Sequence, residues 1–329
     1  MTTPTLGRDP VTLAAFIGVA VLGGLNAIAA KASVRELDPF WSAGSRFLVA
    51  GLILVIFVVA SGRALPRGAS LRGAVLYGAV ALAGSFGFIY PALRDVPAAT
   101  AIVFIALVPL ETFALSIVQG QERFRVQGLV GALVSLAGVL VIVWEQLGAA
   151  LSLGSIGLLL VGTLFISQGA ILLKSIPRAD PYATNGIAML VCGAILLGVS
   201  AIAGETWAIP AQPGTLVAMI YIVVAGSIGL FGLYLFAIRR WTASAVSYTT
   251  LLMPLVTLPV AAVLLDEPIT VPFLFGTAIA LLGIYIGAFM TVRPGRSTVT
   301  AAAECLPIDD CPAVPSVRRR QDVSAAASH

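Results

Sequence analysis

Ten apolar stretches, most of them about 20 residues long, follow one another along this chain of 329 residues. A helix needs about 20 mostly apolar residues to cross the hydrocarbon core of a bilayer, and helices satisfy their own backbone groups in lipid. The sequence therefore predicts an all-α membrane protein with ten transmembrane helices. The predicted helices cover residues 11–30, 40–60, 73–93, 98–118, 126–144, 156–173, 182–203, 215–236, 243–265 and 271–290.

The composition agrees with a membrane protein and excludes an ordinary soluble domain. Hydrophobic residues make up 59% of the chain and charged residues only 10%, against about 25% charged residues in a typical soluble domain. A net charge of +4 does not by itself indicate a nucleic-acid partner, because basic residues also set topology and contact lipid. The three cysteines and the single histidine, His329, form no pattern typical of metal ligands or disulfides. We therefore expect no metal and no cofactor.

The distribution of basic residues predicts how the helices are oriented. Lys and Arg concentrate in the cytoplasmic loops of membrane proteins. With the N-terminus placed inside, 15 of the 19 Lys and Arg residues fall on the cytoplasmic side and 3 on the outer side. We therefore predict a multi-pass protein of the inner membrane with both termini in the cytoplasm. The segment 293–329 is rich in Ala, Ser and Pro and is predicted to be a disordered cytoplasmic tail.

A shift of 145 residues aligns two parts of the chain, 85–142 and 230–287, without a gap. Self-similarity of this kind indicates an internal repeat. We predict a first repeat at 11–144, with helices 1–5, and a second at 156–290, with helices 6–10. Because each copy has five helices, the two copies cross the membrane in opposite directions, which is the inverted-repeat plan of many secondary transporters. The matched residues include Phe86/Phe231, Pro109/Pro254, Glu122/Glu267, Gly131/Gly276 and Gly138/Gly283.

At these positions the chain resembles the EamA type of the drug/metabolite transporter superfamily. The resemblance covers about residues 11–290 and implies a ten-helix carrier with a central cavity between two halves. Members of that family move amino acids, other metabolites or drugs. One departure is that the aromatic-glycine pair usual in the first helix is replaced by Gly23-Gly24. The motifs that carry the resemblance are Leu93-x-x-x-Pro97-Ala98-Ala99-Thr100-Ala101, Leu107-x-Pro109-Leu110, Glu122, Leu252-x-Pro254-Leu255 and Asp266-Glu267-Pro268.

We therefore expect a secondary transporter, and more specifically an exporter, of small metabolites such as amino acids or drug-like solutes. It would work by alternating access, with proton coupling as one option. The expected partners are a small-molecule substrate and membrane lipid, and not nucleic acid; a homodimer stays an open alternative. An enzyme is not expected, since no histidine lies in a predicted span and no H-E-x-x-H motif occurs, and the lack of a G-x-x-x-x-G-K-[ST] loop argues against a nucleotide-driven pump. The competing interpretations are a non-transporting membrane sensor or scaffold and a membrane-embedded enzyme.

Polar residues within the predicted helices mark a candidate substrate pathway, because such residues usually face protein or a water-filled cavity. Counting 1.5 Å per residue from the helix ends places Asn26, Arg46 and Thr100 in an outer layer. Two interpretations of Arg46 compete: a side chain that extends to the outer interface, or a cation that holds an anionic group. The predicted inner layer contains Glu111, Gln168, Tyr248, Thr249 and Thr250.

Glu111 is the only acidic residue inside a predicted span. Its repeat partner is Val256, so the symmetric fold does not require an acid at this position. We expect Glu111 to take part in transport, either as a proton carrier or as the anchor for a cationic substrate group. The alternative is a protonated glutamic acid that is hydrogen-bonded to a neighbouring helix.

Prolines and glycines predict where the helices bend and pack. Pro109 and Pro254 lie near the middle of helices 4 and 9, where a proline removes one helical hydrogen bond and frees a carbonyl group. We predict a kink or hinge at each. Four glycines spaced seven residues apart in helices 5 and 10 are predicted to serve close helix packing, namely Gly131, Gly138, Gly276 and Gly283.

Overall fold

The chain folds as a bundle of helices, as the apolar runs predict. The structure is a computed structural model that describes residues 10–120, 126–146, 152–177, 179–241, 246, 249–267 and 269–289. No β-strand occurs among these residues. The α-helices in chain order are α1 (Pro10–Val34), α2 (Pro39–Ala60), α3 (Gly68–Leu76), α4 (Ser85–Asp95), α5 (Ala98–Ile105), α6 (Val108–Val118), α7 (Val126–Gln146), α8 (Leu153–Ser175), α9 (Pro181–Ile202), α10 (Pro213–Val223), α11 (Leu230–Arg240), α12 (Thr249–Leu264) and α13 (Val271–Phe289).

Seven helical segments of the described chain are long and apolar enough to cross a bilayer. Three shorter apolar helices lie at Val126–Ile142, Leu252–Leu264 and Val271–Gly283. Each of these ten segments overlaps one of the ten predicted runs, but only the seven long ones have the length of a membrane span. Large apolar side chains such as Ile56 and Val217 are exposed on the surface, which is the surface expected of helices that face lipid. The seven long segments are Pro10–Val34, Pro39–Ala60, Gly68–Asp95, Ala98–Val118, Leu153–Ser175, Pro181–Ile202 and Pro213–Arg240.

Several helices begin at residues that favour a helix start. The Asp180 carboxylate accepts hydrogen bonds from the backbone amides of Tyr182 and Ala183, the first free donors of α9. Ser152 caps α8 in the same way, by accepting from the amide of Ser155. A proline occupies the first turn of both α2 and α9, where its missing N–H costs nothing and its fixed φ suits a helix.

Two of the long segments contain π-helical turns that the sequence does not indicate. The residues Tyr77–Gly84 join α3 to α4, and Val224–Gly229 join α10 to α11. Under the 145-residue shift of the repeat, both segments end at equivalent residues, Gly84 and Gly229. Within the second segment the Ser227 hydroxyl donates to the carbonyl oxygen of Ile222 at 2.7 Å. Such turns often occur at functional sites.

The fourth predicted helix is broken rather than kinked. Helix α5 ends at Ile105, Ala106 and Leu107 form a turn, and α6 begins at Val108 with Pro109 in its first turn. The break therefore precedes Pro109, which starts a new helix instead of bending a continuous one. Pro254, by contrast, lies inside the continuous helix α12.

Glycines bring α7 and α13 into backbone contact. A Cβ atom at Gly138 would lie 2.3 Å from the backbone nitrogen of Ala280 and 2.5 Å from the backbone oxygen of Gly276. A Cβ atom at Gly283 would lie 2.7 Å from the backbone oxygen of Gly131. The two helices meet at the four glycines to which the sequence assigned packing.

A second pair of helices, α2 and α9, also meets at glycines spaced seven residues apart on each helix, Gly44 and Gly51 on α2 and Gly186 and Gly193 on α9. A Cβ atom at Gly51 would lie 2.8 Å from the backbone nitrogen of Leu190, and one at Gly193 would lie 2.6 Å from that of Leu48. The sequence analysis did not single out this contact. The α2–α9 contact resembles the α7–α13 contact. Each joins a helix of residues 10–146 to a helix of residues 153–289 through closely packed glycines.

Two lysines at equivalent places cap the ends of helices. Lys31 at the end of α1 donates to the carbonyl oxygens of Leu93 and Arg94 at the end of α4. Lys174 at the end of α8 donates to those of Ile238 and Trp241 at the end of α11. A cation at a helix C-terminus stabilises its free carbonyl groups.

The carboxylate of Glu267 caps a helix far from it in sequence. Its oxygens accept from the backbone amides of Ala98 and Ala99 at 2.7 and 3.0 Å. Glu267 thus binds the start of α5 and not the start of α13, the helix that follows it. Its repeat partner Glu122 lies outside the described residues.

Two connections between helices contact each other at the end of the bundle where α1 stops and α2 begins. In this contact, which we call the loop contact, residues 205–212 bind to Glu36, Asp38 and Trp41. Asp38 pairs with Arg94 and accepts from the amide and hydroxyl of Thr206 at 2.8 Å. These hydrogen bonds lower the pKa of Asp38, and the bond from the Thr206 hydroxyl has the larger effect. Glu205 accepts from the amides of Phe40 and Trp41. The rings of Trp41 and Trp207 are stacked, with centroids 5.1 Å apart.

Candidate functional site

A cavity of about 140 Å³ lies inside the bundle. Its walls come from α1, the π-helical residues 77–84, α4, α5, α8, α11 and α12. Helices from both the first and the second half of the chain therefore enclose it. The volume is roughly ten times the minimum that holds one water molecule, so the cavity has room for a small solute.

The cavity wall is mainly apolar with a few polar groups. Asn26 on α1, Tyr90 on α4 and Thr249 and Thr250 on α12 contribute polar atoms. No Asp or Glu is among the described residues that line it. Binding sites for small molecules commonly combine an apolar wall with a small number of polar groups that orient the ligand.

Arg46 on α2 lies behind this wall and is fully buried. Its Nη1 donates to the Tyr90 hydroxyl at 2.6 Å and to the Asn26 side-chain oxygen at 3.4 Å. Of the two interpretations of Arg46 from the sequence, the structure therefore excludes extension to an interface. The predicted neighbours Asn26 and Arg46 are in contact.

Aromatic rings surround the Arg46 guanidinium. Its central carbon lies 4.3 Å from the ring centroid of Phe47, 4.7 Å from that of Phe86 and 5.6 Å from that of Tyr90. Ring faces attract a cation through the π electrons. The Nε and Nη2 atoms are buried without a hydrogen-bond partner among the described residues.

Gly226 lies where the side chain of Asn26 meets the π-helical residues 224–229. A Cβ atom at Gly226 would lie 2.2 Å from the side-chain oxygen of Asn26, so a larger residue would displace the amide that Arg46 contacts. The second π-helical segment thus helps to position the polar part of the cavity wall.

Glu111 lies outside the lining of the cavity. Its carboxylate accepts from the hydroxyls of Thr163 at 2.8 Å and Ser167 at 3.0 Å, both on α8. Ser167 also contacts the carbonyl oxygen of Val108 at 3.2 Å, beside the break between α5 and α6. Glu111 therefore connects that break to α8.

The remaining predicted pathway residues lie in different places. Gln168 accepts a hydrogen bond from Gln119 at the end of α6, whereas Thr249 and Thr250 line the cavity. The predicted inner layer is thus separated into at least two groups. Thr100 is buried on α5 but does not line the cavity, although its neighbour Ala101 does. Tyr248 lies outside the described residues.

Sequence reasoning missed the aromatic residues of the site. Phe86, Tyr90 and Phe231 line the cavity, and the Phe86 and Phe231 rings lie 6.2 Å apart. A signal was present, because Phe86 and Phe231 coincide under the 145-residue shift. Tyr90 carried no such signal, and its role depends on the position of Arg46.

Among the described residues, seven long apolar helical segments and a cavity within the bundle give the architecture of a multi-pass membrane transporter. The chain belongs to the EamA-like transporter family, whose model matches residues 11–144 and 153–288. It is a multi-pass protein of the inner membrane and a membrane transporter.

Relatives agree with this family, and a solved structure agrees with the fold. The inner membrane transporter YedA of Escherichia coli K12 is 30% identical over 299 residues, which cover 89% of this chain and 94% of YedA. A protein of Salmonella typhimurium named a probable amino-acid metabolite efflux pump is 27% identical over 284 residues, covering 82% and 92% of the two chains. One crystal structure matches with a TM-score of 0.63 at 19% identity and covers 85% of this chain and 96% of its own, which supports the fold.

Proposed function

We propose that the protein is a secondary carrier that exports small metabolites, such as amino acids or drug-like solutes, by alternating access. Ten spans arranged as two inverted repeats, 11–144 and 156–290, with both termini in the cytoplasm, would place the cavity between the halves. Substrate sites of inverted-repeat transporters lie near the membrane midplane where the repeats meet. The observation that carries the proposal is the cavity itself, since both halves of the chain contribute to its wall. Export is favoured by the name of the Salmonella relative.

Flux measurements with purified protein in liposomes test the proposal. Labelled amino acids should cross membranes that contain the protein faster than membranes without it. Ala101→Phe, which fills the cavity, should abolish this flux, whereas Ala201→Phe at the exposed end of α9 should leave it unchanged. If the wild-type protein carries no solute of a broad metabolite panel, the sensor or scaffold interpretation takes its place.

We also propose that Glu111 couples transport to protons. Its carboxylate, the two α8 hydroxyls and the break between α5 and α6 form one contact. Protonation would replace an accepting oxygen with a donor and so weaken the bonds that connect α6 to α8. A change at this junction could be transmitted to α5, which lines the cavity.

Glu111→Gln keeps the shape of the side chain and removes its titration. The variant should fold, and its flux should be slower and should lose its dependence on pH. Asp266→Asn is the matched control, because Asp266 is exposed and has a φ of 53° that asparagine adopts readily. An unchanged rate and pH profile for Glu111→Gln would make Glu111 structural.

A further inference from the structure

The two guanidinium nitrogens of Arg46 that lack a hydrogen-bond partner in the described part of the chain are arranged so that they can bind a carboxylate. Nη1 is occupied by Tyr90 and Asn26, whereas Nε and Nη2 have no partner among the described residues. Nε and Nη2 point to the same side of a guanidinium, and together they form the fork that binds a carboxylate with two parallel hydrogen bonds. The structure thus leaves free the pair of donors suited to that group.

Among the residues that the structure describes, no carboxylate neutralises the charge of Arg46. No carboxylate among the described residues lies within salt-bridge distance of Arg46, and none lines the cavity. A buried charge without a counter-ion is costly. An anion bound at this site would remove that cost.

The fold does not need an arginine at this position. Helices α2 and α9 both start at an Asp-Pro pair, and in that register Gly44 matches Gly186 and Arg46 matches Ala188. Ala188 is fully buried, and its backbone packs against Gly78. The same helix-helix scaffold is therefore built with alanine in one half and arginine in the other.

Arg46 lies one side chain behind the cavity wall. Phe86 and Tyr90 line the cavity and also contact the guanidinium. These two rings therefore separate the guanidinium from the cavity, and a solute in the cavity reaches the guanidinium only if the rings move. The rest of the wall, with Ile89, Leu93 and Ile102, suits an apolar skeleton.

We propose that Arg46 is the specificity-determining residue of the carrier and selects apolar solutes that bear one carboxylate. This inference rests on the proposed transport function and names the substrate class of the same cavity. Tyr90 and Asn26 are its positioning residues, since they hold Nη1 and leave the fork of Nε and Nη2 unoccupied.

Calorimetric binding at neutral pH to the full-length protein in detergent tests this inference. The probes are L-leucine, 4-methylpentanoate, which lacks the ammonium group, and L-leucinamide, which lacks the carboxylate. The wild-type protein should bind both carboxylates roughly tenfold or more tightly than L-leucinamide, because a charge-assisted pair contributes about 1.5–3 kcal/mol. Equal affinity for L-leucinamide would overturn the inference, and this comparison needs no variant.

Variants of Arg46 extend the test. Arg46→Met should lose the preference for carboxylates, and Arg46→Lys should keep only part of it, since an ammonium group cannot form the two-pronged contact. The exposed Arg72→Met is the control and should keep the wild-type preference. If Arg46→Met still prefers carboxylates, the inference is contradicted, even when flux in liposomes supports transport. If the wild-type protein binds carboxylates but carries no solute across liposomes, only the proposed transport function is contradicted.

Discussion

The Tyr90 hydroxyl joins the cavity wall to a fully buried cation. It accepts from Nη1 of Arg46 at 2.6 Å, while the second acceptor, Asn26, is at 3.4 Å. The shorter bond is the stronger one at these distances. Tyr90 therefore provides the main polar stabilisation of Arg46 within the protein.

Tyr90→Phe should destabilise the protein by about 1–3 kcal/mol, because it leaves a buried donor of a charged group without its acceptor. The thermal unfolding midpoint of the purified protein in detergent measures the effect. Tyr182→Phe is a suitable control, since the Tyr182 ring is exposed and lies 5.2 Å from the Arg63 guanidinium carbon. Equal midpoints for Tyr90→Phe and the wild type would show that water or Asn26 replaces the lost acceptor.

Depth along a helix could be predicted from the sequence, but the face of the helix could not. Asn26 and Arg46 were expected at one depth, and they are in contact. Ser167 and Gln168 are adjacent in sequence and so point about 100° apart on α8. Ser167 meets Glu111, whereas Gln168 meets Gln119. The predicted inner layer grouped Glu111 and Gln168 with the threonines of α12 by depth alone. The structure separates them, because the direction of each side chain around its helix axis was not known from the sequence.

At the scale of helices, similar sequence motifs produced different structures. Pro109 and Pro254 coincide in the repeat, yet a break precedes Pro109 and α12 continues through Pro254. In α12 the hydroxyl of Thr257 donates to the carbonyl oxygens of Met253 and, on α1, Gly24. The π-helical segments also gave no sequence signal, because a change in hydrogen-bond register leaves the apolar composition unchanged.

The close contact of α2 with α9 makes a matched pair of glycine substitutions informative. Gly193→Ala should destabilise the protein by about 1–3 kcal/mol, since its Cβ would lie 2.6 Å from the backbone nitrogen of Leu48 and the helices would have to separate. Gly198→Ala on the same helix meets nothing within 4 Å. It should be neutral or stabilising by up to about 1 kcal/mol. Unfolding midpoints in detergent would decide, and similar losses in both variants would contradict the expected helix contact.

For the whole molecule, the order and spacing of the apolar segments could be predicted because each is long compared with the turns between them. The segment 98–118 has the predicted ends, and α2 and α9 agree to within one residue. The cavity could be expected only through the resemblance to the family. Its lining depends on how helices far apart in sequence pack, which periodicity within one helix does not specify.

The proposed orientation can be tested by fusions along the chain. A reporter that is active only in the periplasm should be active after Trp207, in the loop between α9 and α10, and silent after Arg240, at the end of α11. The physical reason is the excess of Lys and Arg on the cytoplasmic side. Immunoblots should show equal amounts of both fusions. The opposite pattern of activity would invert the topology.

The stacked indoles of the loop contact give the protein an intrinsic optical signal. Trp41 and Trp207 belong to different halves of the chain, with ring planes 11° apart, and Trp144→Phe with Trp241→Phe would leave them as the only tryptophans. The lowered pKa of Asp38 keeps its carboxylate charged as the pH falls through the usual range of aspartate, so the pair should stay stacked at mildly acidic pH. If alternating access separates these loops, addition of a transported solute should change the tryptophan emission. A constant spectrum during active transport would show that the loops move as one body.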